Sequence, residues 1–120
     1  MVFYEYAVEV AAQARKRQFR AFACSGMYVK KDPLKKMCST FDGFAGALKG
    51  FSEEFYKTVC GGKLAPVQEA LVTVKEQKRW LEVVCLIIPT INDNLDSVKE
   101  MCKWIVKSLG KETPVHFARF

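Results

Sequence analysis

Residues 80–89 read Trp-Leu-Glu-Val-Val-Cys-Leu-Ile-Ile-Pro, and the fold turns on them. The run from Trp80 to Ile88 is almost continuously apolar and rich in β-branched side chains, as expected of a parallel strand covered on both faces, and Pro89 stops it. Parallel strands need a crossover, and one is legible on each side. Upstream, Pro66 begins a helical pattern that runs to about Gln77. Downstream, Asn94 or Asp96 can cap a helix carrying Leu95, Val98, Met101, Cys102, Ile105, Val106 and Leu109 on one stripe, which Gly110 terminates. Pro114 to Phe120 then reads as the last strand.

The same alternation extends towards the N-terminus. Phe3, Tyr6, Ala7, Val10, Ala11 and Ala14 recur at helical spacing, and the basic turn from Arg15 to Arg17 suits the end of that helix. Phe19 to Cys24 is a short apolar strand closed by the turn signal Ser25-Gly26. Asp32-Pro33 supplies an N-cap followed by proline for a short helix through about Cys38. A strand from Phe41 to Leu48 follows. Ser52, with Glu53 and Glu54 behind it, opens another short helix that Gly61-Gly62 ends. Strands alternating with helices define an α/β chain with a parallel sheet, and right-handed crossovers are expected of it. A site, if there is one, should gather where the strands end: Cys24 to Gly26, Leu48 to Gly50, Ile88 to Thr90, and His116.

The chain has 120 residues, enough for one core, and 50% of them are hydrophobic, so a single domain over residues 1–120 is expected. No run approaches the length needed to span a bilayer, and the N-terminal stretch is acidic where a signal peptide would be basic, which points to the cytoplasm. The net charge of +6 concentrates at Arg15-Lys16-Arg17 with Arg20, and at Lys30-Lys31 with Lys35-Lys36. Aromatic residues do not interleave with these groups as a base-stacking platform would need, so neither nucleic acid nor membrane is indicated as a partner. Cys24, Cys38, Cys60, Cys85 and Cys102 are dispersed, with no CxxC or CxxxCxxC unit, and read as reduced bystanders rather than metal ligands.

The strand ends bring Lys49, Asn92, Asp93, His116 and Arg119 to one region, a set suited to binding a carboxylate or phosphate. It holds no nucleophile paired with a base, and no catalytic residue is assigned. Glycine-rich phosphate loops, HExxH and GxSxG are all lacking. Plainer readings stand beside the functional one. Alternation turns His116 to the face opposite Val115 and Phe117, where a satisfied core histidine and a ligand group are equally compatible with the pattern. Lys49 also reads as a solvated edge lysine, and Asn92 and Asp93 as turn and cap formers.

Four segments, FYEYAVEVAAQARKR (3–17), ALKGFSEEFYKTVCGGKLAPV (47–67), WLEVVCLIIPTINDN (80–94) and CKWIVKSLGKETPVHFARF (102–120), resemble consecutive parts of the AmmeMemoRadiSam-type radical S-adenosylmethionine (SAM) proteins, relatives of pyruvate formate-lyase activating enzyme. The resemblance implies the later part of a partial parallel (β/α) barrel, about four strands with flanking helices. In that family a CxxxCxxC loop after the first strand holds a 4Fe–4S cluster, SAM binds its remaining iron, and reductive cleavage yields a 5′-deoxyadenosyl radical. The resemblance places this chain just after the Gly-Gly-Glu-Pro segment, so the cluster would be expected in intact relatives but not ligated here.

Carried over residue by residue, the resemblance implies SAM contacts at Ser25 and Gly26 after the family's third strand, at Lys49 after its fourth, and at His116 on its sixth. Ala47 stands where the family has an aspartate beside SAM. Gln18 and Thr90 replace turn glycines, at a cost on the order of 1 kcal/mol each where a positive φ is required. The implied function is that of a truncated or split radical SAM protein, the SAM-side half of a barrel, unable to cleave SAM alone. The alternative is a non-catalytic binding or protein-interaction module derived from that fold. The implied partner is the missing N-terminal half, or another protein, through the exposed sheet edge.

Overall fold

The computed structural model describes residues 3–120; Met1 and Val2, which the single-domain reading includes, lie outside the described residues. The elements run α1 (Tyr4–Lys16), β1 (Phe22–Ser25), α2 (Lys31–Thr40), β2 (Gly43–Ala47), α3 (Glu53–Thr58), α4 (Leu64–Glu76), β3 (Trp80–Ile87), α5 (Leu95–Ser108) and β4 (Val115–Arg119). All four strands lie in one sheet in the order β1-β2-β3-β4, and every neighbouring pair is parallel. The expected α/β architecture with about four parallel strands and flanking helices is therefore the one observed.

Register sorts the strand residues into two faces. Phe44 pairs with Leu81, Gly46 with Val83, and Val83 with Val115, while Ala23 pairs with Phe44. Paired residues project to the same side, so Ala23, Phe44, Gly46, Leu81, Val83 and Cys85 share one face. All six are buried. Leu34, Met37 and Cys38 of α2, Val67, Leu71 and Val74 of α4, and Met101 and Ile105 of α5 complete that core. Gly46 is required by the packing, because a Cβ there would run into the Leu71 side chain of α4 and crowd Met27.

The other face carries Phe22 and Cys24 of β1, Gly43, Ala45 and Ala47 of β2, Trp80, Glu82, Val84 and Leu86 of β3, and His116 and Ala118 of β4. No helix covers it fully: Phe22 is 58% exposed, Trp80 55% and Leu86 40%. This corrects the reading of residues 80–88 as a strand covered on both faces. The continuous apolar run does form a central parallel strand, but its even-numbered side chains look out onto an open surface.

Helix ends also differ in detail from the sequence reading. Helix α2 starts at Lys31 and α4 at Leu64, so Pro33 and Pro66 each occupy the third helical position rather than the first. That position lies among the first four, whose N–H groups have no partner within the helix, so proline forfeits nothing there. Helices α1 and α4 end alike. Gln18 N donates to Arg15 O and Phe19 N to Ala14 O, while Lys78 N donates to Lys75 O and Arg79 N to Val74 O. This is the Schellman pattern, with Gln18 (φ 65°) and Lys78 (φ 54°) in the left-handed conformation that glycine favours. Phe19 is thereby spent on a helix stop, which is why β1 begins only at Phe22.

The apolar stripe expected on α1 is only partly used. Tyr4, Ala7, Val8 and Ala11 rest against the core, whereas Phe3 and Tyr6 are more than 70% exposed. Tyr6, Val10 and Ala14 line a groove of about 500 Å³ shared with Phe22 and Cys24 along the free edge of β1. Among the described residues no helix is long and apolar enough to cross a membrane.

Candidate functional site

The open face carries two ionisable side chains near its middle, and they are joined. Glu82 and His116 lie on neighbouring strands, one register step apart, since His116 pairs with Val84. Glu82 Oε2 is 2.8 Å from His116 Nε2, and Trp80 Nε1 donates to Glu82 Oε1, also at 2.8 Å. Trp80 can reach because residues two apart on a strand share a face. Both carboxylate oxygens are therefore occupied by nitrogens. These bonds, Trp80 first and His116 second, hold the Glu82 carboxyl below the usual glutamate range.

The rim of this face is made by the loops after β1, β2 and β3. Ser25 closes β1, and its hydroxyl accepts from Met27 N at 2.9 Å, folding the chain at Gly26 into a tight turn. After β2, Leu48 is buried and Lys49 is exposed, while Lys49 N donates to the Tyr56 hydroxyl at 3.1 Å. Burial pushes the Tyr56 phenol up to about 12, against the smaller opposing effect of the Lys49 N–H. The Lys49 ammonium makes no ion pair among the described residues.

Asn92 binds the β2 and β3 loops together. Its Oδ1 accepts from Ile88 N at 2.6 Å, and its Nδ2 donates to Lys49 O at 2.7 Å and to Leu86 O at 2.8 Å. The amide is thus fully engaged with backbone, as the turn-forming reading of this residue has it. Asn94 caps α5 by accepting from Ser97 N.

Of the residues singled out in the sequence, Ser25, Gly26 and Lys49 do sit at strand ends. His116 does not. It is the second residue of β4, level with Val84, and Arg119 is the residue that reaches the end of that strand. The sheet is staggered, however, so that Ala47, the last residue of β2, falls in the same row as Val84 and His116. At 4.7–4.9 Å per strand, His116 is roughly 10 Å across the sheet from the end of β2. Asp93 lines a shallow surface with Ile87, Pro89 and Arg119 beyond the end of β3. Sequence reasoning passed over Glu82 and Trp80. The available signal was Glu82 itself, a charge in an otherwise apolar strand, which is tolerated only where one face of the strand is open.

Among the described residues the cysteines form no metal-holding group, although Cys102 lies near enough to Cys85 to add to the rise that desolvation causes in its thiol. Cys24 is exposed on the open face, whereas Cys38 and Cys85 are buried on the opposite side, where desolvation raises both thiols, Cys85 to about 11. A cluster ligand must be a thiolate, so these two are poor ligands. Among the described residues no group of three or more His, Cys, Asp or Glu side chains is placed to hold a metal ion. The chain's own residues do not fit an iron–sulfur cluster.

With this geometry in hand, the fold can be placed: it is the parallel (β/α) arrangement of radical SAM domains. A domain of pyruvate-formate lyase-activating enzyme from Bacteroides vulgatus superposes with a TM-score of 0.81 at 11% identity, over 96% of this chain and 68% of that one. SuiB from Streptococcus suis, solved bound to S-adenosylmethionine, superposes with a TM-score of 0.67 at 7% identity, over 94% of this chain and 34% of that one. At such identities the likeness is one of fold. In sequence, the chain is 35% identical over 119 residues to an uncharacterized protein of Methanocaldococcus jannaschii, and it spans 35% of that protein's length. No family model matches.

Proposed function

We propose that this chain is the SAM-side half of a radical-SAM-type barrel, binding S-adenosylmethionine on the open sheet face while the iron–sulfur cluster is held by residues outside these 120. The observation that carries this reading is the one-sided sheet. The first three strands bury one face under helices, β4 stays largely exposed on both, and the opposite face is left open, with His116 on it and Ser25, Gly26 and Lys49 at its rim. Its fold matches that of a protein solved with S-adenosylmethionine bound.

The donor set suits the ligand. S-Adenosylmethionine presents a carboxylate, an amino group and ribose hydroxyls; a lysine ammonium such as Lys49 pairs with the first, and His116 and backbone at Ser25-Gly26 serve the others. Gly26 leaves open space where a Cβ would stand, so a ligand can approach the backbone there. When bound together with a reduced cluster, S-adenosylmethionine supplies radical chemistry that belongs to the cofactor rather than to these side chains. This chain's part is to bind and orient. The free edge of β1 and the groove beside it, lined by Tyr6, Val10 and Phe22, are where the remaining strands of a barrel, from another segment or another protein, would join.

Calorimetric titration of the 120-residue chain with S-adenosylmethionine tests the reading. Saturable binding without iron is expected, weakened in Lys49→Ala and His116→Ala. After iron–sulfur reconstitution the chain alone should produce no 5′-deoxyadenosine. Absence of binding, or turnover by the isolated chain, would each refute the proposal.

A further inference from the structure

The Trp80–Glu82–His116 chain has a chemical consequence that follows from hydrogen counting. An ionised carboxylate has no proton to give and an indole nitrogen can only donate. Glu82 therefore accepts on both oxygens, from Trp80 Nε1 on one and from His116 Nε2 on the other. In the neutral imidazole a proton on Nε2 leaves Nδ1 without one. Nδ1 has no hydrogen-bond partner among the described residues, so its lone pair is uncommitted.

Resting on the reading that this face binds S-adenosylmethionine, we propose that Glu82, itself held by Trp80, is a positioning residue that fixes His116 with its proton on Nε2 and so keeps Nδ1 as an acceptor for a hydroxyl or amino group of the bound ligand. Both side chains are partly exposed, His116 55% and Glu82 35%, but sheet pairing fixes the backbones that carry them. Glu82 and His116 come from adjacent strands of the rigid sheet and not from loops, and Trp80 uses the strand's two-residue period to brace the carboxylate from its far side. Gly43 lies beside them on β2, where a Cβ would strike the Phe22 ring and meet Trp80 Cβ at 3.0 Å, so the tryptophan is packed at its base. The titratable strand residues on this face are Cys24 of β1, Glu82 of β3 and His116 of β4, and helix α1 borders it at β1, where Tyr6, Val10 and Ala14 line the groove with Phe22 and Cys24. No competing acid or base of the strands displaces the Glu82 contact.

His116 is the only histidine, so its ring nitrogens give unambiguous signals in a long-range proton–nitrogen correlation spectrum of the 120-residue chain. In the wild type, at a pH where the ring is neutral, Nε2 should carry the proton almost exclusively. Glu82→Ala should raise the population protonated on Nδ1 about fivefold, the size expected of one charge-assisted hydrogen bond in partial solvent. Trp80→Phe should raise it by less. An unchanged tautomer ratio in Glu82→Ala overturns the proposal, whether or not the chain binds S-adenosylmethionine. Where it does bind, Glu82→Ala and His116→Phe should each weaken binding, and the double variant should be no weaker than His116→Phe alone. Additive losses would mean that Glu82 does not act through His116, and would overturn the positioning role while leaving the proposed function standing. Failure of the wild type to bind would overturn the proposed function while the tautomer measurement still decides the pair.

Discussion

At the scale of single residues, Asn92 and Glu82 show what a sequence pattern can and cannot convey. Asn92 was legible as a turn former, but not as the bolt between two loops, because its partner Lys49 lies 43 positions away and only the sheet brings them together. Its three backbone hydrogen bonds predict a graded response. Asn92→Ala should cost about 2 kcal/mol in urea unfolding, from bonds that are partly exposed. Asn92→Asp should cost more, since it keeps the acceptor for Ile88 N but turns a carboxylate oxygen towards the carbonyls of Lys49 and Leu86; an Asp variant as stable as wild type would show these bonds to be unimportant. Glu82 predicts a pH dependence with a definite sign. Its folded-state pKa is depressed, chiefly by Trp80 and then by His116, so its stabilising contribution is present above the ordinary glutamate value of 4.5 and is lost as pH falls through the lowered one. Comparing acid unfolding of wild type and Glu82→Gln should show the two curves converging below that window and parting above it.

At the scale of elements, most of the strand and helix sequence was readable because the chemistry is local: apolar period for the helices, Ser52 and Asn94 as caps, Gly61 and Gly110 as stops. The misses are equally local in cause. No glycine marks the end of α4, so nothing announced that Lys78 would take a left-handed conformation, whereas α1 was expected to end near Arg17 with Gln18 in place of a turn glycine, as it does. Thr90 is the third member of this group, at φ 67°, following Pro89 in the turn that Ile91 N closes onto Ile88 O. Proline then a positive φ is the type II turn pattern, in which glycine is the favoured third residue. A β-branched side chain is poorly tolerated there. Thr90→Gly should therefore raise stability by about 1 kcal/mol, and Gln18→Gly and Lys78→Gly by slightly less. Thermal or urea unfolding checks this, and a loss of stability at all three sites would mean that side-chain contacts outweigh the backbone strain.

At the scale of the whole molecule, the two faces of β3 divide the chain's energetics. The sequence of residues 80–88 reports only that the strand is apolar; it does not report that helices were available for one side alone, because that depends on how much sheet and how many crossovers surround it. The evenness of the run nevertheless says something about the environment in which the strand works. A strand designed to face water on one side alternates apolar with polar residues, yet Val84 and Leu86 stand on the open face beside Glu82. Such a face is apolar enough to be covered and polar enough, at Glu82 and His116, to hold a ligand. Leu81 and Leu86, on opposite faces of one strand, separate these demands. Leu81 is 2% exposed in the helix-covered core, and Leu81→Ala should cost about 2–5 kcal/mol in the isolated chain. Leu86, 40% exposed, should cost less, about 1–1.5 kcal/mol, when changed to alanine there, because only part of it leaves water on folding. If a barrel-completing segment covers the open face, Leu86→Ala should weaken association with that segment while Leu81→Ala acts only through folding. Equal, large losses for both variants in the isolated chain would mean that the open face is already covered in solution, with self-association the first thing to measure by sedimentation.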